Sequence, residues 1–143
     1  MIRAGLLMLA VTPVCVFATT PGSECATRGR YVEQRLFSAI TNDLGIDPTA
    51  IARGKTSSEI LSITPVSEVF ARQMAKTDSV AGNGLSENEY FSIYHDKHAM
   101  NLTVQYTYTS TEGKKDVFIV SALLNDDECS IRHNGYLTIS REF

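Results

Sequence analysis

Tryptophan is missing altogether, which lowers the case for a sugar-stacking platform. Excess basic charge is missing too. Thirteen lysines and arginines stand against 16 acids, a formal net charge of −3. That balance gives no electrostatic reason to seek nucleic acid or an anionic membrane, both of which call for a basic face. No apolar run reaches the length of about 20 residues that spans a bilayer. Internal repeats and linker-like stretches are lacking, so the chain reads as one domain. Catalytic signatures are lacking as well: there is no Gly-x-Ser-x-Gly, no His-Glu-x-x-His, no Gly-x-x-x-x-Gly-Lys and no dinucleotide glycine fingerprint. Nothing selects a pair of acidic residues for acid–base work. These absences point away from an enzyme and imply no cofactor and no metal.

The amino terminus carries an export signal. Arg3 supplies a positive charge, and Ala4 to Ala18 then contains no charged residue and is rich in leucine and valine. Val16-Phe17-Ala18 suits a signal peptidase, so residues 1–18 are expected to be a signal peptide cleaved after Ala18. Cys15 invites a lipoprotein reading, but Thr12-Pro13-Val14 lacks the small residue such processing needs just before the cysteine. Residues 19–143 are then a single exported domain, periplasmic or secreted, with no membrane span.

Of three cysteines, Cys15 leaves with the signal, and Cys25 and Cys129 remain. An even count in an oxidising compartment reads as one disulfide. A bridge closing a loop of about 100 residues contributes up to about 4.7 kcal/mol in the chain-entropy picture. A reactive thiol at Cys129 beside His133 is the weaker alternative.

Val32, Leu36, Ile40 and Leu44 recur every four residues, predicting a helix over Arg30 to Leu44 stopped by Gly45. Asp47-Pro48 starts a short helical turn. Ser58 to Ile63 fits a short strand or a helical turn. Thr64-Pro65 looks like a helix start, continued by Val66, Val69, Phe70 and Met74 to about Lys76. Thr77 to Glu89 reads as an exposed loop. Tyr90 to His95 alternates like a strand, although Ser86-x-x-Glu89 is a capping box and keeps a helix open. Leu102 to Thr109 is a half-buried strand. Val117 to Leu124 is a near-continuous apolar run, expected to be a central strand buried on both faces. Ser130 to His133 and Tyr136 to Ile139 flank Asn134-Gly135, a hairpin signal. The expected fold is α+β: N-terminal helices packed on a roughly four-stranded antiparallel sheet, with the Val32 stripe over the face that carries Val104 and Tyr106.

Candidate chemistry concentrates in two places. His95-Asp96-Lys97-His98 is the densest group of potential ligands, and His133 could join it around a metal. A polar turn is the plainer reading. Asp126-Asp127-Glu128 lacks the spacing and glycine of a calcium loop, and reads as a solvated turn or an acidic rim for a basic protein partner. Asn101-Leu102-Thr103 is formally a glycosylation sequon, relevant only in a eukaryotic source. The tyrosines could anchor an interface, or simply pack the sheet.

Cys25, the helix from Arg30 to Leu44, the hairpin around Gly113-Lys114, Cys129 and the strand Tyr136 to Ile139 together give a recognisable layout. It resembles that of small periplasmic immunity proteins, the colicin M immunity proteins and their secreted relatives. The segment Asp47 to Glu89 is an addition to that layout, and no binding residue is carried over. The resemblance implies a periplasmic, non-catalytic immunity or inhibitor protein whose partner is an envelope- or wall-attacking toxin or wall hydrolase. The expected contact surface is three loops, Gly82 to Ser86, Tyr94 to His98 and Asp126 to Glu128, with Tyr94, His95, His98, Asp126, Asp127 and Glu128 as contact residues. The alternatives are a secreted effector or secretion-accessory protein, and a small metal-dependent hydrolase using His95, His98 and His133.

Overall fold

A computed structural model of the protein describes residues 21–82 and 84–143. The expected leader, residues 1–18 with Cys15, lies outside the described residues. Helix α1, Tyr31–Leu44, forms where the four-residue spacing predicts it. Val32, Leu36 and Ile40 are fully buried, and Gly45 stops the helix at a left-handed φ of 65°. Only a residue without Cβ takes that conformation at little cost. Asp47 then caps a 3₁₀ turn, Pro48–Ala50, its carboxylate accepting the N–H of Thr49 at 2.8 Å.

The ambiguous segment resolves as strand β1, Ser57–Pro65. It can be a strand because β2, Met100–Thr109, offers an antiparallel ladder from Ser57↔Thr107 to Pro65↔Met100. The expectation that Thr64-Pro65 opens a helix is corrected. Pro65 ends β1, and the next helix, α2 (Glu68–Val80), is capped by Ser67, whose hydroxyl accepts the N–H of Phe70 at 3.2 Å.

The strand expected over Tyr90 to His95 is also corrected: these residues belong to helix α3, Glu87–His95. The capping box decides it. Glu89 accepts the N–H of Ser86 at 2.7 Å, and Ser86 accepts the N–H of Glu89. Tyr90 and Tyr94, four apart, then lie on one buried face with ring centroids 5.7 Å apart. With α2 running to Val80 and α3 starting at Glu87, the long exposed loop shrinks to residues 81–86.

Strands β3 (Lys115–Leu124) and β4 (Arg132–Ser140) complete a four-stranded antiparallel sheet in the order β1-β2-β3-β4. Asn134-Gly135 is not a hairpin turn. Ser121 faces Gly135 and Ala122 faces His133, so Asn134 is the extra residue of a bulge inside β4. Its amide donates to Ser121 Oγ at 2.9 Å, and Arg132 donates to its carbonyl at 2.6 Å. The two short strands read from the sequence are one bent strand.

Leu102, Val104, Tyr106 and Tyr108 of β2, with Phe118, Val120 and Ala122 of β3, are fully buried in one core with the α1 stripe. The β3 run is not buried on both faces. Val117 and Ile119 are half-buried, and of that face only Leu123 is fully buried. Leu123 packs in a second core with Val66, Ala71, Ala75, Tyr90 and Tyr94. The fold class is therefore α+β as expected: α1 covers the face that carries Val104 and Tyr106, while α2 and α3, a helical hairpin inserted in sequence between β1 and β2, pack against Leu123 on the other face. Asp78 of α2 locks that hairpin down. It accepts two hydrogen bonds from Arg132 of β4, at 2.7 and 3.0 Å, and one from the Tyr94 hydroxyl at 2.6 Å. Among the described residues no helix is long and apolar enough to cross a membrane.

Candidate functional site

The residues after β3 build a rigid turn. Asn125 Oδ1 accepts the N–H groups of Asp127 (3.0 Å) and Glu128 (2.9 Å), and the Asn125 N–H donates to the Glu128 carbonyl at 3.0 Å. An asparagine that satisfies the backbone two and three residues on fixes the turn without neighbours' help. Asp126, Asp127 and Glu128 are left exposed on its outside. Cys129 follows at once, bonded to Cys25. Cys25 sits in a short 3₁₀ turn, Ser23–Ala26, whose Ala26 carbonyl accepts the buried Tyr106 hydroxyl at 2.8 Å.

The second loop lies against the first. Helix α3 ends at His95, and the chain must reverse within four residues to enter β2. It does so with Lys97 (φ 54°) and His98 (φ 53°) both in the left-handed region, which side-chain-bearing residues rarely adopt. The arrangement is held from the acidic turn. The Asp126 N–H donates to the Lys97 carbonyl at 3.2 Å, Lys97 pairs with Asp127, and His98 Nδ1 lies 2.7 Å from Asp126 Oδ2. The hydrogen bond to Asp126 raises His98 above the ordinary histidine range, and that to Asp127 raises Lys97. All four side chains are exposed, so the pairs orient the loops more than they stabilise the fold.

Of the residues expected at a contact surface, His98, Asp126, Asp127 and Glu128 come together. Tyr94 does not reach the surface. It is 4% exposed, and burial followed by its hydrogen bond to Asp78 pushes its hydroxyl far up. His95 stacks on Phe91 with centroids 5.0 Å apart, and lines neither cleft beside the acidic turn. The loop at Gly82 to Ser86 lies at the other end of α3, about 13 Å along the helix for nine residues. His133 sits in β4 beside Arg35 of α1, with Nε2 buried and unpartnered. The three histidines are thus not gathered, and among the described residues no group of three His, Cys, Asp or Glu side chains could hold a metal ion. Asn101 is half-buried in β2 and accepts the Ser121 hydroxyl at 2.9 Å.

Two clefts flank the acidic turn. One, of about 500 Å³, lies between the turn and α3, with Ile93 and Ile131 in its wall. The other, of about 520 Å³, lies between the turn and the Cys25 segment, over Met100 and Leu124. Gly22, at φ 82°, closes the far side of the second cleft, where an added Cβ would lie 3.0 Å from Leu124 Cδ1. The sequence reading missed Asn125 and Glu24. Asn125, opening an Asn-Asp-Asp-Glu run, carried an Asx-turn signal. Glu24 carried none, because tertiary contacts of the Cys25 turn, the disulfide among them, bring it to the cleft.

Comparison with protein-family models, with curated proteins and with solved structures found no match for the chain.

Proposed function

We propose that this protein is an exported, non-catalytic binding protein that neutralises an envelope- or wall-directed bacterial toxin in the periplasm. The observation that carries the reading is the cross-tying of two loops, 96–98 and 125–128, into one acidic surface beside the disulfide. A surface already ordered before binding loses little entropy when a partner docks. Its charge suits a basic partner, and complementary charge speeds encounter more than it deepens affinity. The resemblance of the sequence layout to that of periplasmic immunity proteins supports the same reading, as does a bridge of the kind that persists in oxidising compartments.

The test begins by capturing partners on the tagged, exported protein from a periplasmic extract. A single stoichiometric protein whose lytic activity falls on complex formation is expected. Replacing the acidic turn with Asp126→Asn, Asp127→Asn and Glu128→Gln together is expected to weaken that complex at least about tenfold. The loss should lie mainly in the association rate and shrink with added salt. A captured partner whose activity is untouched, or an affinity indifferent to the triple variant, would overturn the reading.

A further inference from the structure

The cleft beside the disulfide combines apolar and acidic lining. Its floor is apolar, formed by Met100 and Leu124, with Pro21 at the edge. Its polar lining is Glu24, Asp126, Asp127 and Glu128 with His98, and the Cys25–Cys129 bridge lies beside them. Among the described residues, Asp126 and Asp127 are held in ion pairs, with His98 and Lys97, and Glu24 and Glu128 are in none. Glu24 and Glu128 are supplied by different segments, one by the Cys25 turn and one by the acidic turn.

We propose that this cleft is the pocket for one arginine side chain of the protein partner, an inference that rests on the binding function proposed above. An arginine has an aliphatic stem that covers apolar surface and a planar fork that takes carboxylates on two sides. The stem lies on Met100 and Leu124, and the guanidinium reaches Glu24 and Glu128. Other ligand classes fit worse. A neutral molecule would cover the floor but strip water from the carboxylates without compensation. A bare metal ion would leave the floor uncovered, and the carboxylates are not grouped closely enough to hold one. Lysine offers a point charge and cannot bridge two carboxylates in one plane. Buried arginine is also a frequent centre of binding energy at protein interfaces.

The experiment uses the exported protein and a capped Gly-Arg-Gly peptide, with capped Gly-citrulline-Gly as the neutral match. Methyl resonances of Met100 and Leu124 are followed by NMR. Saturable shifts with the arginine peptide are expected, at least about fivefold weaker with citrulline and at least about tenfold weaker in Glu24→Gln/Glu128→Gln. Both replaced residues are exposed, so the variant keeps the fold, which its unshifted Val104 and Val120 methyls verify. Absence of shifts, equal shifts with citrulline, or an indifferent double variant would overturn the proposal. The two readings fail separately. A partner that is captured and inhibited equally well by Glu24→Gln/Glu128→Gln removes the arginine pocket and leaves the inhibitor. Peptide binding with no partner in the periplasm keeps the pocket and removes the inhibitor.

Discussion

Glu33 is a carboxylate with no exposure at all, on the core side of α1. Burying such a group is costly unless every lone pair is used. Here Oε2 accepts from Arg53 at 2.7 Å and from the Gly29 N–H at 3.1 Å, while Oε1 accepts the Tyr108 hydroxyl at 2.9 Å. Arg53 also lies over the Phe37 ring, 3.8 Å from its centroid. Glu33→Ala would strand the fully buried Tyr108 hydroxyl, whereas Arg53, 40% exposed, can recover water. The expected loss is about 2–4 kcal/mol, read from the urea midpoint, and Glu33→Gln should lose less because it keeps an acceptor. His133 sets a pH dependence. Burial first, then Arg35 and Arg132, lower it below the ordinary histidine value of 6.5. The unfolded chain therefore takes up the proton first, and stability contributed by neutral His133 is lost as pH falls below about 6.5. His98 is shifted the opposite way, so its contribution is present below the unfolded value and lost as pH rises through the folded one. It is fully exposed, and His133 should dominate. Unfolding midpoints across pH 5–8 check this: His133→Gln should flatten the acid-side decline, and His98→Gln should leave it in place.

At the scale of elements, α3 shows how local and tertiary signals compete. Over Tyr90 to His95, six residues fit both a two-residue and a four-residue repeat, and periodicity alone cannot choose. The capping box satisfies N–H groups that a helix start would leave bare, and α2 supplies a buried face for Tyr90 and Tyr94. Ser86→Ala is expected to cost about 1 kcal/mol. Because the loss is local to the helical hairpin, amide exchange in α3 should speed up while β2 and β3 amides stay protected. Asn134-Gly135 failed as a turn signal for a related reason. A hairpin there needs a partner strand on each side, and β3 already pairs with both halves of β4. The bulge absorbs the turn-prone pair without ending the strand. Helix α1 and β2, by contrast, were legible because each repeats one period for ten residues or more.

Across the whole molecule, the disulfide joins residues 104 apart in sequence. It ties the segment leading into α1 to the loop between β3 and β4, the same loop that carries the acidic turn. Replacing both Cys25 and Cys129 by serine is expected to cost up to about 4.7 kcal/mol and lower Tm by up to about 20 °C. Glu24 and Glu128 should then be held on one cleft less firmly, because the bridge is the covalent link between their segments, while core burial of Ala26 and the Tyr106 hydrogen bond tie the Cys25 turn to the sheet. Calorimetry of the double variant checks the first expectation.

The sequence by itself determined the α+β class, α1 and its buried stripe, the strands β2 and β3, and the disulfide pair. These depend on repeats and counts that a chain carries locally. Only the tertiary structure decided which polar residues meet. Tyr94 went into a core, His95 onto Phe91 and His133 beside α1, while Lys97 and His98 were drawn to Asp127 and Asp126 nearly thirty residues on. Side chains that carry charge have no periodicity to announce their partners. Their meeting is set by where the packed apolar faces happen to bring the loops.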